Sequence, residues 1–199
     1  MTSETTTRIG EVIESSTTGF AAECYKLYGL PPLGSLVSVG GNEEETFGIV
    51  HHATTASVEP GRRPIARGRT ETSEEDIYKN SPQLTQLLRS EFSALVVGHR
   101  RGQAIRHYLP SQPVRIHAFV HLCPPETVRR FSRSLGFLGL LTEAALPVPV
   151  EEVIAATLRL MARGHEDSAA FLVAAGRELA TLLSDDYARL RAILGRLEV

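Results

Sequence analysis

The chain has 199 residues, of which 42% are hydrophobic and 22% are charged, and its formal net charge is −2. This composition is typical of a folded protein with a sizeable core, and the near-neutral charge removes the general electrostatic argument for nucleic-acid or anionic-membrane binding, although a local basic patch could still bind either. No segment has the pattern of a signal peptide or membrane span, and Cys24 and Cys123 are the only cysteines, so we expect a cytoplasmic protein with reduced thiols and no membrane insertion.

The first half of the chain predicts short β-strands, because its apolar runs are brief and separated by Gly, Pro and Asn. The prolines at 31 and 32 indicate a turn, and Gly40-Gly41-Asn42 indicates the next reversal. Gly102, after Arg100 and Arg101, is predicted to supply the positive φ angle of a later hairpin turn. Besides the first strand, the predicted strand segments include 20–25, 46–55, 94–99, 103–109 and 114–122.

The order of these segments carries a family resemblance. Ile-Gly-x-Val stands at 9–12, Phe-Ala-Ala-Glu-Cys-Tyr at 20–25, Pro-Pro-x-Gly-Ser-Leu-Val at 31–37 and Gly-Ile-Val at 48–50. Together they resemble the HAS barrel, the small N-terminal β-barrel of HerA-type DNA-translocating ATPases and of the major subunits of rotary ATP synthases. In those families the barrel does no chemistry and helps to organise a ring, while a P-loop domain hydrolyses ATP. The resemblance covers roughly residues 8–122 and implies a role in assembly.

An insertion of different character interrupts the predicted barrel. Residues 58–69 form a loop rich in Pro, Gly and Arg, and Ser73 followed by three acidic residues is typical of a helix N-terminus. Asn80-Ser81-Pro82 predicts the start of a second helix, whose apolar residues recur at helical spacing at Leu84, Leu87, Leu88 and Phe92. We expect this apolar stripe to cover an open edge or end of the barrel.

From Pro124 the apolar period changes from two residues to about 3.6, which predicts helices to the end of the chain. The helices are predicted at 125–145, 150–163, 166–183 and, after the cap at 184–186, up to Leu197. The predicted fold class is therefore α+β: a small antiparallel β-barrel at 8–122 with a helical insertion at about 70–92, followed by an α-helical bundle at 124–199. Pairs of alanines in these helices would permit close helix approach within or between subunits.

The motifs of common enzymes are missing from the sequence. Neither Lys26 nor Lys79 lies in the G-x-x-x-x-G-K-[ST] context of a phosphate-binding loop, so the catalytic residues of the ATPases have no positions here. The sequence also lacks a G-x-S-x-G elbow, an H-E-x-x-H motif, paired CxxC motifs and a dinucleotide-binding glycine fingerprint. We therefore predict no catalytic residues, no cofactor and no metal, and a protein that is not an enzyme.

Histidines and carboxylates offer the remaining candidates for chemistry. His117, His121 and Cys123 are three potential metal ligands, but their alternation with apolar residues predicts a strand, on which the outer two lie roughly 20 Å apart. His121 and Cys123 would need further ligands, for instance His107 or Cys24.

Of His51 and His52, one should face inward and one outward, and we favour a buried neutral histidine over a general base. A hydrolase would need a cleft lined by His51, His99 or His107 with a shifted pKa. The acidic run 43–45 is predicted to be a solvated hairpin tip.

The loop 60–69 is the predicted contact site. It carries Arg62, Arg63, Arg67 and Arg69, planar donors on a backbone that Pro60 and Pro64 stiffen. Neutralisation by the acidic stretch 71–76 is the alternative. We favour a non-catalytic assembly or adaptor protein that binds a protein partner or forms a homo-oligomer. The alternative is a nucleic-acid-associated protein that uses these arginines together with Arg100 and Arg101. This alternative is disfavoured because no aromatic residues that could stack on bases are interleaved with the arginines.

Overall fold

The structure is a computed structural model that describes residues 7–41, 43–59 and 61–197. The strands of this part of the chain are β1 Thr7–Ser15, β2 Gly19–Cys24, β3 Leu36–Gly40, β4 Glu44–Ser57, β5 Leu88–Arg101, β6 Ala104–Arg106 and β7 Phe119–Leu122. Its helices are α1 Glu74–Asn80, α2 Leu84–Leu87, α3 Pro125–Phe131, α4 Phe137–Thr142, α5 Val150–Ala162, α6 Ser168–Leu182 and α7 Tyr187–Leu194. Pro60 and Asn42, which the sequence assigns to loops, lie outside the described residues.

Six of the strands close into an antiparallel barrel. The sheet runs in the order β2-β1-β7-β3-β4-β5-β6, and an additional pairing of β2 with β5 joins the two sides. All seven strand pairings are antiparallel, and β6 adds to the end of β5 as a hairpin whose turn contains Gly102 at φ 60°. The predicted α+β fold with an N-terminal antiparallel barrel and C-terminal helices is confirmed. Closure leaves the six barrel strands with few free edges.

The barrel strands divide their side chains between two hydrophobic cores. One core fills the barrel interior with residues that include Val12, Phe20, Val37, Val50 and Val120. The second core lies between the outer barrel surface and the C-terminal helices, and it contains the alternate strand residues Leu36, Phe47, Ile49 and Val97 together with Cys123, which follows β7. Because neighbouring strand residues point to opposite faces, the same strands supply both cores. The division into a barrel domain at 8–122 and a helical domain at 124–199 stays a prediction.

The insertion between β4 and β5 contains less helix than the sequence predicts. Ser73 caps α1 as predicted, since its hydroxyl accepts a hydrogen bond from the backbone N–H of Asp76. The predicted second helix is wrong beyond Leu87, because α2 has only four residues and β5 begins at Leu88. Phe92 lies in the barrel interior rather than on a helix.

The C-terminal helices largely follow the prediction, with one break. Helices α5, α6 and α7 lie within the predicted segments, and the side chains of Asp167 and Asp186 cap α6 and α7. The single helix predicted at 125–145 is wrong, because the chain leaves helical geometry between α3 and α4. Among the described residues, no helix is both long enough and apolar enough to cross a membrane.

The predicted strands at 103–109 and 114–122 are also shorter than expected. Only Ala104–Arg106 and Phe119–Leu122 make ladders. The backbone of His117 adopts φ 65°, which a strand cannot accommodate, so the chain reaches β7 through a turn. The strand face on which His117 and Cys123 were expected to lie is therefore not continuous.

Candidate interaction surface

The insertion follows the end of the β4–β5 pair, a two-stranded ribbon that extends three residues beyond Glu91, the last residue of β5 that pairs with β2. Strand β4 pairs with β3 only between Glu45 and Ile49, but it continues along β5 until Ser57 faces Leu88. The insertion therefore begins at the far end of this ribbon. On the other side, Tyr28 of the barrel reaches the insertion, where its hydroxyl lies 2.5 Å from that of Tyr78. This hydrogen bond is the main reason that the pKa of Tyr78 rises to about 12.

The predicted arginine loop is exposed at every described position from Gly61 to Thr70. Arg62 forms an ion pair with Glu59 at 2.9 Å, and this contact raises the pKa of Arg62. Arg63, Arg67 and Arg69 form no ion pair with any residue that the structure describes. Of the four arginines predicted to bind a partner, Arg62 is therefore already in an ion pair. The guanidinium groups of the other three remain available for a partner.

The acidic stretch 71–76 does not neutralise these arginines within the described part of the chain. Glu71 accepts a hydrogen bond from Asn80 at 2.8 Å, and Asp76 accepts hydrogen bonds from Ser73 and Lys79. Glu74 and Glu75 lie exposed in the first turn of α1, where a negative charge is favourable near the positive end of the helix dipole. Among the described residues, the arginines of the loop thus form no ion pair with the acidic side chains of 71–76.

The arginine loop borders a cleft that the sequence did not predict. Two adjoining cavities, of about 260 Å³ and about 60 Å³, lie between the loop, α2 and the start of β5, and α1 also lines the larger one. Ile65 is 80% exposed, although it is a large apolar side chain. We call this cleft the basic groove, and the residues that line both of its cavities are Pro64, Ile65, Arg67, Leu84 and Leu88. Tyr28 and Tyr78 line its larger end, and Arg63 lines its smaller end.

Arg100 and Glu45 are not placed as the sequence indicates. Glu45 lies within β4 rather than at a solvated tip, and its carboxylate pairs with Arg100 Nε at 3.0 Å. The side chain of Arg100 is only 12% exposed and that of Glu45 only 17%. Arg100 also donates hydrogen bonds to the carbonyls of Gly41 and Gly102. Arg100 therefore holds the β3–β4 and β5–β6 turns together, and it cannot serve with Arg101 as a nucleic-acid contact without breaking these bonds.

The structural role of Arg100 predicts that substitutions of Arg100 and its neighbour Arg101 change the free energy of unfolding by different amounts. We expect Arg100→Ala to lower the free energy of unfolding by about 1–3 kcal/mol, because Glu45 and two carbonyls lose a charged donor. Arg101→Ala should change it by less than about 0.5 kcal/mol, because Arg101 is exposed. Urea unfolding of the two variants beside the wild type measures both values. Equal effects would contradict the structural role of Arg100.

Several histidines occupy partly buried positions outside this surface, whereas His52 and His117 are exposed. His51 lies at a bulge of β4 and is partly buried, while His52 is exposed. His51 Nδ1 and Ser15 Oγ are buried, line one cavity of about 230 Å³, and make no hydrogen bond to a described residue. Burial lowers the pKa of His51, which favours its neutral form at neutral pH. Within the described residues, no nucleophilic side chain forms a hydrogen bond with His51.

His107 lies against the core between barrel and helices. Its ring centroid is 4.6 Å from that of Phe131 and 5.7 Å from that of Phe137. Burial lowers the pKa of His107, and it likewise lowers those of His121 and His165. The native state therefore binds fewer protons than the unfolded chain in the pH range just below the ordinary value of 6.5.

Stability should consequently fall as the pH decreases. We expect the free energy of unfolding to be highest above the unfolded pKa and to decline as the pH is lowered through about 6.5 toward 5, because the unfolded histidines take up protons first. The variant His107→Phe keeps an aromatic ring in the core but cannot be protonated, so its stability should depend less steeply on pH. Denaturant titrations at several pH values measure this slope. A slope equal to that of the wild type would contradict the role assigned to His107.

The potential metal ligands do not meet. His117 Nδ1 is 2.9 Å from a carboxylate oxygen of Glu11, and Cys123 is buried on the core between barrel and helices. Within the described ranges, no three His, Cys, Asp or Glu side chains are arranged to hold a metal ion. Cys24 and Cys123 are free thiols, and burial raises their pKa values to about 11 and about 12.

Comparison of the sequence with protein-family models and curated proteins gives no match. No protein-family model matches the sequence, and no curated protein is significantly similar to it. The class of protein is therefore given by its fold: a six-stranded antiparallel barrel that carries an insertion and is followed by packed helices.

Proposed function

We propose that this chain is a non-catalytic assembly or adaptor protein, a HAS-like barrel that mediates oligomerisation or docking on a larger complex, a ring ATPase being one candidate. The positions of the sequence motifs support the family assignment. Ile-Gly-x-Val lies in β1, the Pro-Pro turn precedes β3, and Gly-Ile-Val lies in β4, so all three belong to the closed barrel. This support comes from the fold, and the function rests on the surface described next.

The observation that carries the proposal is the basic groove at the end of the ribbon. It lies outside both hydrophobic cores, yet it presents the apolar side chains of Ile65, Leu84 and Leu88 beside Arg67. Tyr28, which lines the same groove, is 57% exposed. Arginine and tyrosine are enriched at protein interfaces, where apolar contact and planar hydrogen-bond donors occur together. This combination suits a protein partner.

Nucleic acid is the second candidate, because Arg63, Arg67 and Arg69 are exposed and unpaired within the described chain. A phosphate backbone would use these charges but not the apolar wall of the groove. Such binding would release counterions, and its affinity would fall steeply with salt. A protein contact that buries apolar surface would depend on salt much less.

Size-exclusion chromatography with light scattering, in low and high salt, tests the proposal. Mass should be taken from refractive index, because the chain has no Trp and absorbs weakly. Absorbance at nucleic-acid and protein wavelengths should be recorded together. We expect a stable multimer free of nucleic acid, and Arg63→Ala with Arg67→Ala should shift it toward monomer. A monomer that carries nucleic acid only in low salt would refute the assembly role and favour the second candidate.

A further inference from the structure

We propose that the basic groove binds the acidic start of helix α1 of a second copy of this chain, so that two insertions pair around a two-fold axis. The inference rests on the proposed function, which it makes specific by naming the partner and the contact. It concerns two surface patches of one insertion: the loop arginines Arg63, Arg67 and Arg69, and the acidic pair Glu74 and Glu75.

The first argument is charge complementarity between patches that form no ion pair with each other within one chain. Glu74 and Glu75 are exposed and make no ion pair with any described residue, although the unpaired arginines lie only a few positions earlier in the sequence. The short helical turn Gly68–Thr70 carries Arg69, and the first turn of α1, capped by Ser73, carries Glu74 and Glu75. A second copy presents the same two patches, and a two-fold contact therefore pairs each basic patch with an acidic one, twice.

The second argument is the apolar surface between the charges. Ile65 is 80% exposed and Val58, at the base of the insertion, is 41% exposed. The groove beside Ile65 is lined by Leu84 and Leu88, which belong to neither hydrophobic core. A partner helix that lies along the loop would cover this surface, while the arginines would fix its register through charge. Burial of the apolar residues would give the affinity.

A charge-swap experiment on the full chain tests the contact. The first variant carries Arg63→Glu and Arg67→Glu, and the second carries Glu74→Arg and Glu75→Arg. Each variant alone should weaken self-association about tenfold or more, because like charges then face each other. An equimolar mixture should restore it, since the reversed patches are complementary again. The control carries Arg130→Glu and Arg133→Glu, two exposed arginines of the α3 region with the same change in net charge, and should associate like the wild type.

The measurement is mass by light scattering over a range of concentrations, with circular dichroism to establish that each variant is folded. Arginines in the first turn of α1 oppose the helix dipole, so Glu74→Gln with Glu75→Gln provides a second acidic-patch variant that retains the helix start and should also weaken association. A multimer unaffected by the loop reversals would overturn this contact and leave the assembly role standing. Folded variants whose mixture stays dissociated would also overturn it. A wild-type chain that is monomeric at every concentration would overturn it, and if that monomer also carries nucleic acid, the proposed function falls with it.

Discussion

Replacing Phe131 by alanine is expected to lower the free energy of unfolding by about 3–5 kcal/mol, as is usual when a large buried ring is removed from a core. Phe131 is 1% exposed and lies at the end of α3. Its ring centroid is 5.1 Å from that of Phe47 on the barrel and 5.3 Å from that of Phe137 on α4. The ring therefore packs against both the barrel and the helices, and its removal should destabilise both parts of the fold.

Guanidinium unfolding followed by circular dichroism and tyrosine fluorescence measures this effect. Because one core joins the two parts, helix and barrel signals should shift together to lower denaturant concentration. The control is Tyr187→Ala, an aromatic truncation at a side chain that is 73% exposed, for which we expect a change within about 0.5 kcal/mol. A barrel transition that stays in place while the helices unfold earlier would show that 8–122 is stable without 124–199.

The variant Gly34→Ala should be destabilised by about 2–5 kcal/mol, from the combined cost of backbone strain and overpacking. Gly34 precedes β3 with φ +82°, and a Cβ atom there would come within 2.5 Å of the backbone nitrogen of Thr157 on α5. The glycine thus allows the Pro-Pro turn of the barrel to contact the backbone of a helix directly. No small movement of a flexible side chain relieves this contact, because the neighbouring atoms are main chain.

Gly139→Ala is the matched control for this substitution. Gly139 lies in α4, and an added Cβ would have no neighbour within 4 Å apart from its own helix. Because alanine favours helix more than glycine does, this variant should gain about 0.5–1 kcal/mol. Thermal and urea unfolding of both variants gives the comparison. A Gly34→Ala protein as stable as the wild type would mean that the turn and α5 are not in close contact.

The error at α2 and β5 shows why the barrel was easier to predict than its insertion. Leu88 and Phe92 are four residues apart, a spacing that satisfies both a helical period and the alternation of a strand. The choice is made by partners distant in sequence: Phe92 pairs with Ala22 on one side and Ala53 on the other. Such pairing cannot be read from local periodicity, whereas the short apolar runs and turns of the earlier strands could be.

The break between α3 and α4 has a similar cause. Phe131 and Phe137 both pack in the core between barrel and helices, yet six residues of a continuous helix would place them about 120° apart around its axis. Interrupting the helix brings both rings into one core. The sequence pattern from 125 to 145 contains the apolar residues but does not indicate which of them must meet.

The candidate site was predicted only in part. The arginine loop stood out in the sequence because four arginines occur within eight residues. The apolar wall of the groove did not, because Leu84 and Leu88 look like the stripe of a helix. Tyr28 and Tyr78 are fifty residues apart, and their hydrogen bond has no local sequence signal. The pairing of Glu45 with Arg100 was missed for the same reason.

Hydrogen–deuterium exchange of the wild-type protein at low and high concentration tests the central claim most directly, namely that the chain associates through its insertion. Backbone amides of residues 61–76 should exchange more slowly as concentration rises, while those on the exposed outer face of α6 should not change. Light scattering on the same samples establishes the change in mass. An increase in mass without protection at 61–76, or with protection on α6 instead, would contradict the account.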